Sequence, residues 1–232
     1  MVLTLYGSPI SSCTKRVAVV LKEKDIPFTF VSIDLAKGEQ KSPDFLKKQP
    51  FGMVPCIDDD GFLLYESRAI GRYLAAKYPS KGPALLPTEL KAKALFEQAA
   101  SVEVANFEPS AYGLALEKFF KKTFFGLDAD EAKVSELTIT LGAKLDAYEK
   151  ILSKQKYVAG DVSDTLLATK LLLNNISEQE ITLADLYHLP HGTLVKHVSP
   201  ELISSRPHVA RWLEDLQARP AWIAVKDGIS SV

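Results

Sequence analysis

The chain has 232 residues, of which 47% are hydrophobic and 25% charged, values that are ordinary for a globular protein. This composition excludes a disordered or collagen-like chain, and the length is that of roughly one or two domains. Basic and acidic residues nearly cancel, 28 against 29, so the chain lacks the basic surface of a dedicated nucleic-acid binder. Its two cysteines are too few for a disulfide framework, and no membrane-spanning segment or secretory signal is evident. We therefore expect a cytoplasmic protein without nucleic-acid or membrane partners.

Extended and helical patterns alternate over the first 80 residues. A strand is predicted over residues 2–6, a helix over 12–24 from its apolar spacing, and a second strand over 28–33. A weak helix follows over 42–48, then strands over 54–57 and 62–65 joined by a hairpin at Asp60-Gly61. A further helix ends before Pro79. The predicted order βαβαββα is that of a small α/β domain.

Residues 79–87 contain three prolines and a glycine, a composition typical of a linker. Beyond them long helical patterns cover 88–121 and 130–154, and a shorter helix is predicted over 207–216. Thr182 and Asp185 have the spacing of a capping box, with Asp in place of Glu. We therefore divide the chain into a domain at 1–80, a linker at 81–87 and an all-α domain at 88–232.

The loop between the first strand and the first helix, GSPISSCT at 7–14, is the first candidate site. The free N–H groups and the partial positive charge of a helix N-terminus stabilise an anion, including a thiolate. Ser11 or Ser12 is equally suited to a purely structural N-cap. Cys13 is either a low-pKa thiol in this field or a small buried residue.

Three further segments carry groups that can bind a ligand. A cis bond at Val54-Pro55 would turn the Val54 backbone outward toward a peptide, although a trans proline at a strand edge is the commoner arrangement. Glu66-Ser67 at a helix start suits an amine and a carboxylate, or serves only as an N-cap and first-turn acid. The polar loop at 38–41 is either solvated or supplies a cation and an amide to a second carboxylate.

No metal or nucleotide motif is present. The sequence has no GxGxxG, Walker A, HExxH or CxxC pattern. His188 and His191 lie three residues apart, but we expect Pro190 to break the helix between them. A metal site would also need more ligands, so none is predicted.

Taken in order, these segments resemble the glutathione transferases, most closely the phi class. The resemblance is strongest in GSPISSCTKRV, KGEQKSPDF, the PFGMVP run and LYESRAI, and TLADL at 182–186 looks like the family's capping motif. It implies a thioredoxin-like first domain followed by an all-α domain. It also implies an enzyme with glutathione as co-substrate, small hydrophobic electrophiles or ligands as partners, no further cofactor, and a homodimer.

The resemblance also implies roles for individual residues. Ser11 falls at the position whose hydroxyl donates to the glutathione thiolate, and Ser12 is the alternative assignment. Members with a catalytic cysteine carry it at the same position, which favours conjugation over thiol exchange through Cys13. The glutathione-binding positions are Gln40, Lys41, Met53, Val54, Pro55, Glu66 and Ser67. The class often has His in place of Gln40 and Gln in place of Met53. Gln40 keeps a hydrogen-bond donor, whereas Met53 has none, so one side-chain contact to the peptide is missing at residue 53.

The all-α domain would contribute the electrophile pocket. Candidates to line that pocket are Ile10, Phe107, Tyr112 and Phe119. Phe51 is a candidate dimer contact, and residues 161–180 look like an insertion without an assigned function. Two other functions stay open beside conjugation and organic hydroperoxide reduction: a ligand-binding protein with little turnover, and a Cys13-dependent thiol transferase.

Overall fold

The computed structural model describes residues 2–160 and 180–231. The chain forms two units, one extending to Ala84 and including the segment from Ala218 onward, the other spanning Leu85–Gln217. No helix among the described residues is long and apolar enough to cross a membrane. The predicted insertion at 161–180 lies, except for its last residue, outside the described part of the chain.

The N-terminal unit has the predicted βαβαββα order. Its elements are β1 (Leu3–Gly7), α1 (Ser12–Glu23), β2 (Phe28–Ser32), a 3₁₀ turn (Glu39–Lys41), α2 (Pro43–Leu46), β3 (Cys56–Asp59), β4 (Phe62–Tyr65) and α3 (Ser67–Lys77). β3 begins later than the predicted strand at 54, since Pro55 has no N–H to donate to the ladder. The predicted hairpin is confirmed: Asp60 and Gly61 form the two-residue turn, both with positive φ.

The four strands form one mixed sheet in the order β2-β1-β3-β4. β1 runs parallel to β2 and antiparallel to β3, and β3 is antiparallel to β4. α1 and α3 pack against each other, because the inner faces of both helices carry buried apolar side chains. The resulting core includes Leu5, Val17, Ile57 and Leu74, each of which is fully buried.

The helical unit begins where the linker was predicted. Leu85 is buried, and its carbonyl oxygen accepts the Leu183 N–H at 3.1 Å. The helices are α4 (Leu90–Val102), α5 (Glu108–Ala115), α6 (Glu131–Leu152), α7 (Leu183–Val198), α8 (Pro200–Ser204) and α9 (Pro207–Gln217). The predicted helix at 130–154 is confirmed as α6, with Asp130 as its N-cap.

The region predicted as one helix over 88–121 is helical but not uniformly α-helical. π-helical segments at Glu103–Phe107 and Leu116–Phe125 flank α5. Pro109 lies at the start of α5, which continues directly from the helical segments before it; one uninterrupted α-helix over this region would need an N–H at residue 109 to bond the carbonyl four residues back, and proline has none. The wider π turn directly before it accommodates the proline.

α7 begins with the predicted capping box. The Asp185 carboxylate accepts the Thr182 N–H at 3.0 Å, and the Thr182 hydroxyl oxygen accepts the Ala184 N–H at 3.2 Å. The same carboxylate accepts the Val158 N–H and the Trp212 Nε1–H. Asp185, in place of the usual Glu, therefore supplies the second hydrogen bond of the capping box. It also connects the start of α7 with Val158 and Trp212.

The expectation that Pro190 breaks the helix between the two histidines is wrong. α7 runs through Pro190, which is buried together with its neighbours, so tertiary packing overrides the local cost of proline. His188 lies between the Ala184 carbonyl and the Tyr148 hydroxyl at 2.7 and 2.8 Å, and His191 meets Glu108 at 2.8 Å. Both histidines thus have structural partners. The described residues contain no cluster of three metal-ligating side chains.

The C-terminal segment from Ala218 packs with the N-terminal unit, which corrects the predicted all-α domain of 88–232. It contains the short helix α10 (Pro220–Ile223). Arg219 forms an ion pair with the nearly buried Glu23 at the end of α1, and Lys15 Nζ donates to the Lys226 carbonyl at 2.7 Å. Apolar packing of α10 on α1 accompanies these bonds, so the unit is built from both ends of the chain.

Candidate functional site

All the predicted glutathione-binding residues lie in loops at one edge of the sheet, where three strands end and one begins. The register pairs Gly7 with Ser32, Tyr6 with Cys56, and Cys56 with Tyr65. β1, β2 and β4 therefore end at the edge where β3 begins. The loops that carry residues 8–11, 34–41 and 66–67 start from this edge, and the loop that carries residues 51–55 ends at it.

Ser11 is the N-cap of α1. Its backbone is extended, and its hydroxyl oxygen accepts the Thr14 N–H at 3.3 Å. Ser11 is half-buried, whereas Ser12 is the first helical residue and is only 8% exposed. A hydroxyl that accepts this bond still has its own proton to donate. The capping and donor roles of Ser11 are therefore compatible.

A close approach between β1 and α1 holds the Ser11 loop. A Cβ at Gly7 would lie 2.3 Å from Thr14 Cγ2, so only glycine fits there. The Thr14 hydroxyl oxygen accepts the Ser8 N–H at 3.3 Å, and Ser11 N–H donates to the Ser8 carbonyl at 3.0 Å. These contacts fix the turn that presents Ser11 at the helix N-terminus.

A second close approach joins the loops that carry Gln40 and Met53. Lys41 Nζ donates to the Phe51 carbonyl oxygen at 2.9 Å. Gly52 has φ +60, and a Cβ there would lie 2.6 Å from Lys41 Cδ and 2.9 Å from the Gln40 carbonyl oxygen. Gln40 Oε1 is buried and has no hydrogen-bond partner among the described residues. A polar atom left this way is suited to a ligand that supplies a donor.

The Val54-Pro55 peptide bond is cis, the less common of the two arrangements considered for this proline. Val54 is half-buried against the cluster of Ile33 and Phe45 under the site. Met53 is 60% exposed, and its N–H donates to Gln49 Oε1 at 3.2 Å. The Met53 side chain thus lies open at this edge but brings no hydrogen-bond donor.

Glu66 and Ser67 form the turn from β4 into α3. Glu66 has φ +71, an uncommon backbone conformation for a residue other than glycine and one that is concentrated at functional sites. Its side chain does not cap α3. Ser67 is 5% exposed, and its hydroxyl oxygen accepts a hydrogen bond from Arg16 Nη1 at 3.0 Å. Glu66 therefore occupies the N-cap position without a hydrogen bond from its side chain to the helix.

Comparison with known proteins agrees with this geometry. Residues 5–83 match the family model of the glutathione S-transferase N-terminal domain. Glutathione S-transferase PM239X14 of Arabidopsis thaliana is 46% identical over 212 residues, covering 90% of this chain and 88% of that protein. The chain belongs to the glutathione transferase family. These relatives are plant transferases of the phi class, and they align with most of the chain. The expected class and the expected enzyme activity are thereby confirmed.

Solved structures of glutathione transferases also share its fold. Glutathione transferase F7 from Populus trichocarpa has a TM-score of 0.86 at 36% identity, covering 98% of this chain and 99% of that one. Maize glutathione S-transferase I, solved with an atrazine glutathione conjugate, has a TM-score of 0.82 at 29% identity, covering 97% and 96%. The thioredoxin-like first unit and the helical second unit are thereby confirmed.

The two thiols of this transferase differ in environment. Burial raises the pKa of the Cys56 thiol to about 11, with the nearby Lys48 charge acting in the opposite direction. Cys56 is therefore a packing residue. Cys13 is half-buried on α1, with its Sγ 3.5 Å from Arg16 Nη1.

The candidates for the transferase's electrophile pocket lie in different environments. Ile10, in the Ser11 loop, is 51% exposed. Tyr112 is 46% exposed, with its ring near those of Phe120 and His191, and Phe119 is half-buried. Phe107 is only 2% exposed and packs on Tyr148 and His188, so it is a core residue and not a surface for a ligand.

Arg16 is the site residue that sequence reasoning missed. A signal was present, because Arg16 lies four residues before Val20 and so shares the buried face of α1. A cation on such a face indicates a specific buried partner. One such partner, Ser67, is 51 residues away in sequence.

Proposed function

We propose that this transferase ionises the thiol of glutathione through a hydrogen bond from the Ser11 hydroxyl and conjugates the thiolate to small hydrophobic electrophiles. The observation that carries the proposal is the geometry of Ser11. Its oxygen caps α1 through the Thr14 N–H, while its proton remains for a ligand at the helix N-terminus. The loop in which it lies begins at the same sheet edge as the other proposed binding segments.

The physical effect is electrostatic. A free thiol has a pKa of about 8.5, and a donor together with a helix N-terminus favours the thiolate. Lowering that pKa by two units corresponds to about 2.7 kcal/mol. Because an ordinary serine hydroxyl is far too weak a base at neutral pH, Ser11 acts as a donor to the thiolate and does not remove the proton.

The peptide backbone of glutathione is proposed to lie along this sheet edge. The Val54 backbone would pair with the cysteinyl unit, with Pro55 fixing the turn and Met53 packing alongside. An extended peptide beside an exposed strand end is recognised in this way. The maize relative solved with a glutathione conjugate supports a peptide of this kind as the ligand.

The two ends of glutathione carry charges that need partners. The Glu66 carboxylate is proposed to receive the γ-glutamyl ammonium group, and Ser67 at the start of α3 the adjacent carboxylate. Lys41 and the Gln40 amide are proposed to face the glycyl carboxylate. The buried Gln40 Oε1, which has no hydrogen-bond partner among the described residues, supports a ligand-facing role for this loop: it would accept a peptide N–H, while the Nε2 of the same amide carries the donors that the carboxylate needs.

Substitution of Ser11 tests the mechanism. Ser11→Ala should raise the apparent pKa of conjugation by up to about two units, less the share of the helix N-terminus, which remains; the readout is kcat/KM against pH with chlorodinitrobenzene as electrophile. Ser11→Thr keeps a hydroxyl and should retain the wild-type profile. Ser12→Ala removes the neighbouring hydroxyl, on a residue that is only 8% exposed, and is the matched control. The proposal fails if Ser12→Ala shifts the profile and Ser11→Ala leaves it unchanged.

The same thiolate is proposed to reduce organic hydroperoxides, with a second glutathione completing the reaction to the disulfide. The cumene hydroperoxide rate should therefore fall with the conjugation rate in Ser11→Ala. If the rate of disulfide reduction exceeds the rate of conjugation, and Cys13→Ser abolishes that reduction, the protein is instead a thiol transferase. Tight binding of an apolar dye with negligible turnover would instead identify a ligand-binding protein.

We further propose that the enzyme acts as a cytoplasmic homodimer and that Phe51 lies in its interface. Phe51 is 66% exposed, with its ring 6.0 Å from that of Tyr65 in an edge-to-face arrangement. An exposed large aromatic side chain is a typical interface anchor. Sedimentation velocity should show a dimer for the wild type and a monomer for Phe51→Ser, and a wild-type monomer would contradict the assignment.

A further inference from the structure

The buried side chain of Arg16 contacts the proposed glutathione site from inside the protein. Arg16 is fully buried and lies within α1. Its Nη1 donates to Ser67 Oγ at 3.0 Å and lies 3.5 Å from Cys13 Sγ. A buried guanidinium is costly to remove from water, so its contacts must be specific in geometry.

The bond from Arg16 determines what the Ser67 hydroxyl can do. A guanidinium has only donors, so the Ser67 oxygen must be the acceptor. The single hydroxyl proton of Ser67 is then directed away from Arg16. The adjacent positive charge polarises the hydroxyl and strengthens it as a donor to an anion. Ser67 also begins α3, whose N-terminal N–H groups favour negative charge.

We infer that Arg16 is a positioning residue for the γ-glutamyl carboxylate of glutathione, acting through Ser67. The inference rests on the proposed function, in which Ser67 binds that carboxylate. Arg16 does not touch the ligand. It orients the Ser67 proton and adds a positive charge behind it, so the carboxylate is recognised by a hydroxyl that is already aligned.

A pair of peptide substrates separates this role from a structural one. The second peptide is γ-aminobutyryl-cysteinylglycine, which is glutathione with hydrogen in place of the γ-glutamyl carboxylate. The readout is the ratio of kcat/KM for glutathione to kcat/KM for this analogue, with chlorodinitrobenzene as electrophile. A general loss of folded enzyme lowers both values equally and cancels in the ratio.

Arg16→Met should lower this ratio about 10- to 100-fold, the range of one hydrogen bond to a charged group. The value for the analogue should stay near that of the wild type. Ser67→Ala should lower the ratio similarly, and adding Arg16→Met to Ser67→Ala should lower it little further, because the two residues act in series. Arg72→Met on α3 removes another arginine of the same unit and should leave the ratio unchanged.

Arg16→Lys is the second variant in case Arg16→Met does not fold. It keeps the charge but loses the planar fork, so the ratio should again fall. A wild-type ratio in the folded Arg16 variants overturns the inference, as does a wild-type enzyme that does not prefer glutathione to the analogue. If the wild type neither binds glutathione in calorimetry nor conjugates it, the proposed function itself fails. That result is therefore distinct from failure of the Arg16 inference.

Discussion

Replacing Gly52 by alanine tests whether the close approach of two loops builds the glycyl end of the site. Gly52 has φ +60, and a Cβ there would lie 2.6 Å from Lys41 Cδ, 2.8 Å from Lys41 Nζ and 2.9 Å from the Gln40 carbonyl oxygen. Ordinary contacts at this position would be 3.4–4 Å. The lysine side chain can swing aside, but its bond to the Phe51 carbonyl is then lost. The Gln40 carbonyl belongs to the backbone, so the loop itself must shift.

The expected loss of folding stability in Gly52→Ala has two parts. A left-handed conformation costs a non-glycine residue about 1–2 kcal/mol. Forcing an extra methyl group into a filled space costs a further 1–3 kcal/mol or so. Gly52→Ala should therefore lower the free energy of unfolding by about 2–5 kcal/mol. Gly38 supplies the matched control, because it has φ +73 in the neighbouring loop and a Cβ there meets nothing within 4 Å. Gly38→Ala should show the first part alone.

Urea unfolding of the two variants measures the stability difference, and substrate kinetics measures its effect on the site. Gly52→Ala should lower kcat/KM for glutathione more than for γ-glutamylcysteine, which has no glycyl carboxylate for Lys41 to meet. Equal losses of stability in Gly52→Ala and Gly38→Ala would refute the reasoning. They would mean that movement of the lysine side chain alone relieves the contact.

Two further predictions concern titrating groups. A maleimide should label Cys13 in the native enzyme at pH 8 and Cys56 only after unfolding, because burial raises the pKa of Cys56 to about 11; fast native labelling of Cys56 would contradict this. Partial burial raises the pKa of Glu149, but hydrogen bonds from the His208 side chain and from the N–H groups of His208 and Val209 outweigh it and hold that pKa below its ordinary value of 4.5. A lowered pKa stabilises the fold above that ordinary value and is lost on acidification. Glu149→Gln should therefore destabilise at pH 7 and progressively less toward pH 3 in urea titrations, and a pH-independent difference would rule this out.

Local rules predicted most of the fold. The hairpin at Asp60-Gly61 follows from residues that tolerate positive φ, and α1 follows from its apolar spacing and the serine before it. The capping box at Thr182 was readable because its partners are three residues apart. The prediction of a helix break at Pro190 was wrong. The cost of a proline within a helix is visible in the local sequence, whereas the burial that outweighs this cost involves residues distant in the chain.

Those candidate site residues that lie within one continuous motif could be predicted from the sequence. Contacts between segments that are distant in the chain could not. The positions of Ser11, Val54, Pro55, Glu66 and Ser67 came from motifs that resemble a family. Phe107 was predicted as a ligand contact because an aromatic residue in sequence looks the same in a core and in a pocket. Its packing on Tyr148 and His188 places it in the core.

The sequence by itself determined the order of elements, the break between an α/β part and a helical part, and the helix N-terminus that suits an anion, because each depends on neighbouring residues. Only the tertiary structure decided that Arg16 meets Ser67, that Gly52 meets the Gln40 backbone, and that the segment from Ala218 packs with the N-terminal unit. These contacts join residues far apart in the chain. The helical spacing of α1 indicates that Arg16 is buried, but no local pattern shows which distant residue each of these groups contacts.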